Sequence, residues 1–218
     1  MTRAVVFDLD GTLIDSLPDI AAAANALLEE EGVAPLPQSR IGSFVGMGEK
    51  VFLDRLITAT GLERARYDAL MARFMVLYKA NTGRTRVFPG VLDMMSTLRE
   101  CGLALGLCTN KPSGPLQAVL DALDLGRWFD TIIAGDTLPM RKPDPAPLHL
   151  GFERMGATEG VYVGDSDVDA ETAQRAAIPF LLFTGGIRTM PVSDIPHDAL
   201  FGDFSHLPEL CTRHIRRF

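Results

Sequence analysis

The sequence has few cysteines, no long apolar run and no surplus of positive charge, and each shortage removes a class of function. Cys101, Cys108 and Cys211 are three in 218 residues and lie far apart. Such a set supplies neither a disulfide framework nor a zinc site, and points to reduced thiols in a cytoplasmic protein. No apolar stretch approaches the roughly 20 residues that a bilayer-spanning helix needs. The first one is interrupted by Asp8 and Asp10, so neither a signal peptide nor a membrane span is expected. A formal charge of −7 argues against nucleic acid or an anionic membrane as partner. It also means that an anionic ligand must be met by local positive groups and a metal. Internal repeats and low-complexity tracts are absent, and a hydrophobic content of 47% is ordinary for a folded globular chain with a sizeable core.

What is present is concentrated at the ends of short apolar runs. Ala4-Val5-Val6-Phe7 is too short for a helix and rich in β-branched residues, so it reads as a buried parallel strand. It stops in Asp8-Leu9-Asp10, two carboxylates on one side of an extended chain, and Gly11 then frees the backbone. Open α/β sheets place their ligands at such carboxyl ends. A second buried run, Val161-Tyr162-Val163-Gly164, ends in Asp165-Ser166-Asp167-Val168-Asp169. Two acidic strand ends on neighbouring strands would converge on one hard cation, and all-oxygen ligation suits Mg²⁺. The plainer alternative is that Asp165 or Asp167 caps the following helix. Between the two clusters lie Thr109-Asn110-Lys111-Pro112, after the run 103–108, and Arg141-Lys142-Pro143-Asp144-Pro145. A strand-end hydroxyl can donate to a phosphate oxygen, and a lysine can neutralise phosphate and carboxylate charge. Taken singly, Thr109 would pass for a helix cap and Lys142 for a solvated surface charge.

Along the chain, strand–helix alternation starts at residue 3, pauses, and resumes near residue 88. The pause reads as helical: a helix from Ser16 to Gly32, a short one at 39–44, one from Glu49 to Thr60, and one from Glu63 to Ala80 whose Leu70, Phe74 and Tyr78 are core. The rest predicts helices at 90–100, 113–125, 145–155 and 167–177, strands at 103–108, 131–134, 161–164 and 180–183, an edge strand at 198–201 and a last helix at 207–215. That order makes a parallel sheet covered by helices on both faces. Residues 1–15 and 83–218 form this α/β core, and 16–82 an all-helical insert. Gly46-Met47-Gly48 is either a turn between helices or a place where backbone N–H groups approach an anionic end of a ligand. His149, His197, His206 and His214 show no ligand spacing, and 213–217 reads as the basic end of the last helix.

Asp8-Leu9-Asp10-Gly11-Thr12, Thr109-Asn110, Lys142-Pro143 and Gly164-Asp165-Ser166-Asp167-Val168-Asp169 match, in order and spacing, the four motifs of the haloacid dehalogenase-like hydrolases. The resemblance runs through essentially the whole chain. Within that superfamily it is most similar to the phosphoglycolate phosphatase group, through 10–16, Phe88-Pro89-Gly90-Val91, Thr109-Asn110-Lys111-Pro112 and Lys142-Pro143-Asp144-Pro145. The resemblance implies a Rossmann-like core under a helical cap, and Mg²⁺-dependent hydrolysis of a small phosphate ester, 2-phosphoglycolate first. Sugar-phosphate hydrolysis and β-phosphoglucomutase-like transfer stay open, and so does a non-catalytic phospholigand-binding protein. It implies Asp8 as nucleophile, Asp10 as acid and base, and Thr109 and Lys142 as phosphoryl holders, with the backbone near Leu9 and Asn110 assisting. Asp8, the Asp10 carbonyl and Asp165 would hold the metal, with Asp169 closing the shell directly or through water, and Gly46 and Gly48 would meet substrate. Asp10 and the full second acidic cluster argue against a dehalogenase, and Asp10 against a phosphonate hydrolase. Oligomeric state is not legible.

Overall fold

The computed structural model describes residues 2–81 and 83–218. The first apolar run forms β1 (Thr2–Phe7), buried on both faces from Ala4 onward. After β2 (Ile14–Asp15) the chain enters α1 (Leu17–Glu30), α2 (Gln38–Gly42), α3 (Glu49–Thr60) and α4 (Tyr67–Ala80). It returns through β3 (Arg86–Val87), antiparallel to β2. Alternation then resumes with α5 (Val91–Glu100), β4 (Ala104–Cys108), α6 (Ser113–Ala122), β5 (Thr131–Ile133), α7 (Ala146–Arg154), β6 (Ala157–Gly164), α8 (Asp167–Ala176), β7 (Phe180–Phe183), β8 (Ala199–Phe201), α9 (Leu207–His214) and β9 (Arg216–Arg217).

The main sheet runs β5-β4-β1-β6-β7-β8. These pairs are parallel, and Phe7 stands beside both Leu107 and Val163. Strand order therefore reverses on the two sides of β1, which opens a crevice at its carboxyl end. The pleat of β1 divides the core. Val5 and Phe7 join a cluster with Met94, Met95, Leu98 and Leu116, while Ala4 and Val6 join one with Leu148, Phe152 and Ala173 on the other face. A third cluster, with Leu27, Leu53, Leu56, Leu70 and Phe74, is drawn from residues 20–78, the helices α1–α4 and their connections.

The expected α/β architecture is thus present, with three departures. The helix expected over 63–80 begins as a 3-10 turn at Arg64–Arg66, and α4 proper starts at Tyr67. The β2–β3 ribbon joins the sheet region to the helices. Beside it buried Asp19 accepts the Arg84 and Thr85 N–H groups and the Thr85 hydroxyl, at 2.6–3.1 Å. The basic tail is not all helix: α9 stops at His214, and Arg216–Arg217 pair antiparallel with Glu159–Gly160. Among the described residues no helix is long and apolar enough to cross a membrane. Thr82, at the expected edge of the helical insert, lies outside the described residues.

Candidate active site

The ends of β4, β1 and β6 bring the expected site residues together. At β1 the chain must turn at once to bring Asp8 against the end of β6. Gly11 makes the turn at φ +88°, and a Cβ there would lie 2.4 Å from an Asp165 oxygen, so no other residue fits. Behind it Asp8, Asp165 and Asp169 present carboxylate oxygens within 4.8 Å of one another, all buried.

Asp165 is not the helix cap that its position allowed. Ser166 caps α8, and Asp169 completes a capping box with it. Asp165 instead accepts the Thr12 hydroxyl on one oxygen and the Ile187 N–H on the other, each at 2.7 Å. Asp169 has no acceptor capacity left. Its Oδ1 takes Lys142 and the Tyr162 hydroxyl, both at 2.7 Å, and its Oδ2 takes Asp165 N–H, Ser166 N–H and the Ser166 hydroxyl. Lys142 is no surface charge: it is 4% exposed and sits between Asp8 (2.8 Å), Asp169 and the Tyr162 oxygen (2.8 Å).

One lysine cannot balance three buried carboxylates. Burial raises the Asp8 carboxyl, Lys142 opposes this and Asp169 reinforces it, leaving Asp8 pushed up to about 7. Burial, then the charges of Asp169 and Asp8, drive Asp165 well above the carboxylate range. Asp169 meets the same desolvation but is held low by Lys142, Ser166 and Tyr162. Lys142 is buried too, yet Asp169 and Asp8 hold it above the ordinary lysine value. Crowded, desolvated, oxygen-only donors of this kind fit a hard divalent cation, which restores the missing positive charge. Asp8 and Asp165 retain free acceptor positions for it. Asp169 does not, and acts by fixing Lys142.

At the end of β4, Thr109 is buried, and its oxygen accepts the Lys111 N–H at 3.2 Å. It does not cap α6, which starts four residues later at Ser113, so its own proton remains available. The Asn110 amide donates to the carbonyls of Gly46 and Lys142, each at 3.0 Å, and its Oδ1 is buried without a partner. Asn110 therefore ties α2–α3 to the sheet, and only its backbone N–H is left for an anion. Among the described residues, neither Leu9 nor Asn110 donates its backbone N–H to a protein acceptor. Cys108 is an inert strand cysteine, its thiol pushed up to about 12 by burial.

Asp8, Asp10, Thr109, Asn110, Gly46 and Gly48 line one cavity between the sheet and the helices, and no histidine reaches it. Lys142, Asp165 and Asp169 stand behind Asp8. Glu49, at the start of α3, pairs with Arg141 through both oxygens at 2.9 and 3.0 Å. Gly48 has φ +83°, and a Cβ on it would lie 2.7 Å from Arg141 Nη1. Three site residues were not anticipated. Lys111 reaches Asp10, Tyr78 reaches Lys111, and Tyr162 orders the Lys142–Asp169 pair. A hydroxyl in the middle of an apolar strand was the available signal for Tyr162.

Residues 5–183 match the family model described as haloacid dehalogenase-like hydrolase. A Cereibacter sphaeroides protein named phosphoglycolate phosphatase is 46% identical over 212 residues, covering 96% of this chain and 97% of the relative. A Rhodobacter capsulatus protein of the same name is 40% identical over 210 residues, covering 95% and 96%. Among solved structures, a predicted phosphoglycolate phosphatase from Haemophilus somnus 129PT superposes with a TM-score of 0.90 at 27% identity, covering 96% of this chain and 97% of that one.

Proposed function

The chain belongs to the haloacid dehalogenase-like hydrolases, and from that premise we propose that it is a Mg²⁺-dependent phosphatase that hydrolyses 2-phosphoglycolate through a phosphoaspartate on Asp8. The observation that carries this reading is the buried Asp8–Lys142–Asp169 cluster beside Asp165, with Asp10 two residues on and Thr109 facing the same crevice. The names of the relatives support the choice of ester.

Asp8, Asp165 and the backbone carbonyl of Asp10 would hold Mg²⁺, with Asp169 holding Lys142 beside it. Mg²⁺ bound there supplies the positive charge that lets an anionic phosphate approach an anionic carboxylate. Asp8 Oδ1 is held by Lys142, which leaves Oδ2 to attack phosphorus in line with the leaving oxygen. Lys142, the Thr109 hydroxyl and the backbone N–H groups of Leu9 and Asn110 hold the equatorial phosphoryl oxygens. Asp10 gives a proton to the departing alkoxide, then takes one from the water that attacks the phosphoaspartate. Asp169 keeps Lys142 charged, and the Tyr162 hydroxyl, accepting from its Nζ, keeps it fixed throughout. The helices of 16–82 act as a cap, docked by Asn110–Gly46, Lys111–Tyr78 and Arg141–Glu49, that excludes water and selects the leaving group.

The test is phosphate release across small phosphomonoesters with Mg²⁺ and with EDTA. We expect 2-phosphoglycolate to be the best substrate and EDTA to abolish turnover. A protein that binds the esters yet releases no phosphate would make the non-catalytic reading correct. The cap's part can be probed at Gly48. Gly48→Val forces a strained φ and strikes Arg141, so kcat/KM for 2-phosphoglycolate should fall about 10²-fold, the cost of a displacement near 1 Å. The loss for p-nitrophenyl phosphate should be clearly smaller. Equal losses would restrict Gly48 to docking the cap and remove it from substrate recognition.

A further inference from the structure

Lys111 follows the phosphoryl-binding stretch but does not point at the phosphoryl position. Its side chain is 4% exposed, and Nζ donates to both oxygens of Asp10, at 2.9 and 3.1 Å, and to the Tyr78 hydroxyl. Tyr78 is fixed from the cap. Its ring stacks on Phe74 at 5.9 Å, Phe74 stacks on Phe52 at 5.0 Å, and Lys111 Nζ lies 4.9 Å from the Tyr78 ring centre. The remaining cap wall of the cavity includes Ile20, Val45 and Met75, which cannot solvate an ion. Among the residues lining the cavity Lys111 is the one cation, facing the carboxylates of Asp8, Asp10 and Glu49. Asp8 and Glu49 already have cationic partners in Lys142 and Arg141. Lys111 is thus the charge that serves the leaving-group side.

Resting on the phosphatase reading above, we propose that Lys111 is the specificity-determining residue that selects a leaving group carrying its own negative charge. An acid that reaches the ester's bridging oxygen stands one hydrogen bond from it. Lys111 Nζ stands one further hydrogen bond beyond Asp10, which is the reach of a carboxylate on the carbon next to the ester oxygen. An ammonium has three donors, and two of them hold the same Asp10 carboxylate. Moving one to the substrate carboxylate leaves Asp10 paired through the other and Tyr78 in place. Without Lys111, that carboxylate would be buried against apolar side chains and like charges, an arrangement that excludes it. A neutral leaving group makes no contact with Lys111 and depends on it only through Asp10. Tyr78 is a positioning residue, aiming Lys111 when the cap is docked.

The experiment compares kcat/KM for 2-phosphoglycolate and for 2-hydroxyethyl phosphate, similar in size but uncharged beyond the phosphate. Wild-type protein should prefer the first. Lys111→Met should slow both, because Asp10 loses its partner, and should lower the preference about 10–100-fold, the range for one hydrogen bond to a charged group. Lys111→Arg should keep most of the preference, and Tyr78→Phe should weaken it mainly through KM. Thermal melts establish that the variants fold. Lys111→Gln, which keeps a donor for Asp10 without the charge, gives the same reading if Lys111→Met is unstable. An unchanged preference in the uncharged variants overturns the proposal. Equal hydrolysis of both esters by wild-type protein overturns it while leaving the phosphatase reading intact. Hydrolysis of no phosphomonoester overturns the phosphatase reading instead.

Discussion

Asp8→Asn should give a folded protein whose turnover is lower by on the order of 10⁴-fold or more, the scale seen when a covalent nucleophile is removed. The amide has nearly the shape of the acid and still offers Lys142 an oxygen, but it is too poor a nucleophile to take the phosphoryl group. Stability should move the other way. Asp8 is pushed up to about 7 in the folded protein, from an ordinary value of 3.8. Between those values the native state binds more protons than the unfolded chain, so the metal-free protein loses stability as pH rises through that window. The full penalty, on the order of a few kcal/mol, is present above about pH 7. Asn carries no such penalty. The Tm of metal-free Asp8→Asn should therefore match or exceed that of wild type at pH 8, with the difference shrinking toward pH 5. Intact mass after rapid quenching should show phosphoprotein in wild type only. Activity above a few per cent in Asp8→Asn would remove Asp8 from the nucleophile's role.

The features legible in the sequence were those written locally. A β-branched run that breaks into Asp-x-Asp-Gly can only be a strand with carboxylates at its end. The limits of α3, Glu49–Thr60, are legible because Gly48 and Gly61 stand at its two ends with positive φ. The features that escaped are made by pairing at a distance. β2, β3 and β9 are two residues each, too short for any periodicity, and exist only through their partners. Lys111 and Lys142 look alike in sequence, each a lysine before proline. What separates their tasks is that Lys142 enters the knot of Asp8, Asp169 and Tyr162, while Lys111 meets Asp10 and a cap tyrosine. Asp169 was legible as an acid near the site. That its oxygens are fully occupied by Lys142, Tyr162 and the start of α8 follows only from the tertiary structure. This moves its proposed role from ligating the metal to holding the lysine.

Asp165 carries the complementary prediction, because its environment suits a cation. Its oxygens accept Thr12 and Ile187 but pair with no basic side chain among the described residues, and burial with the charges of Asp169 and Asp8 drives its carboxyl well above the ordinary range. The metal-free native state should hold a proton here that the unfolded chain releases near 3.8, so its stability falls as pH rises. Mg²⁺ competes with that proton, and its affinity should rise with pH. At a concentration of about 100 Kd the metal adds about 2.7 kcal/mol to stability, so Mg²⁺ should raise Tm clearly at pH 8 and much less at pH 5. Asp165→Asn keeps an acceptor for Thr12 or Ile187 but can no longer provide a carboxylate. It should flatten the Mg²⁺ effect on Tm and raise the Mg²⁺ concentration for half-maximal rate by about 10²-fold, within the range by which altered metal-site residues weaken affinity. KM for the ester should change far less, since Thr109, Lys142 and Lys111 remain. If Asp165→Asn kept both the Mg²⁺-induced shift in Tm and the Mg²⁺ dependence of the rate, Asp165 would leave the ligand set, and the raised carboxyl would have to be explained as a neutral, hydrogen-bonded acid.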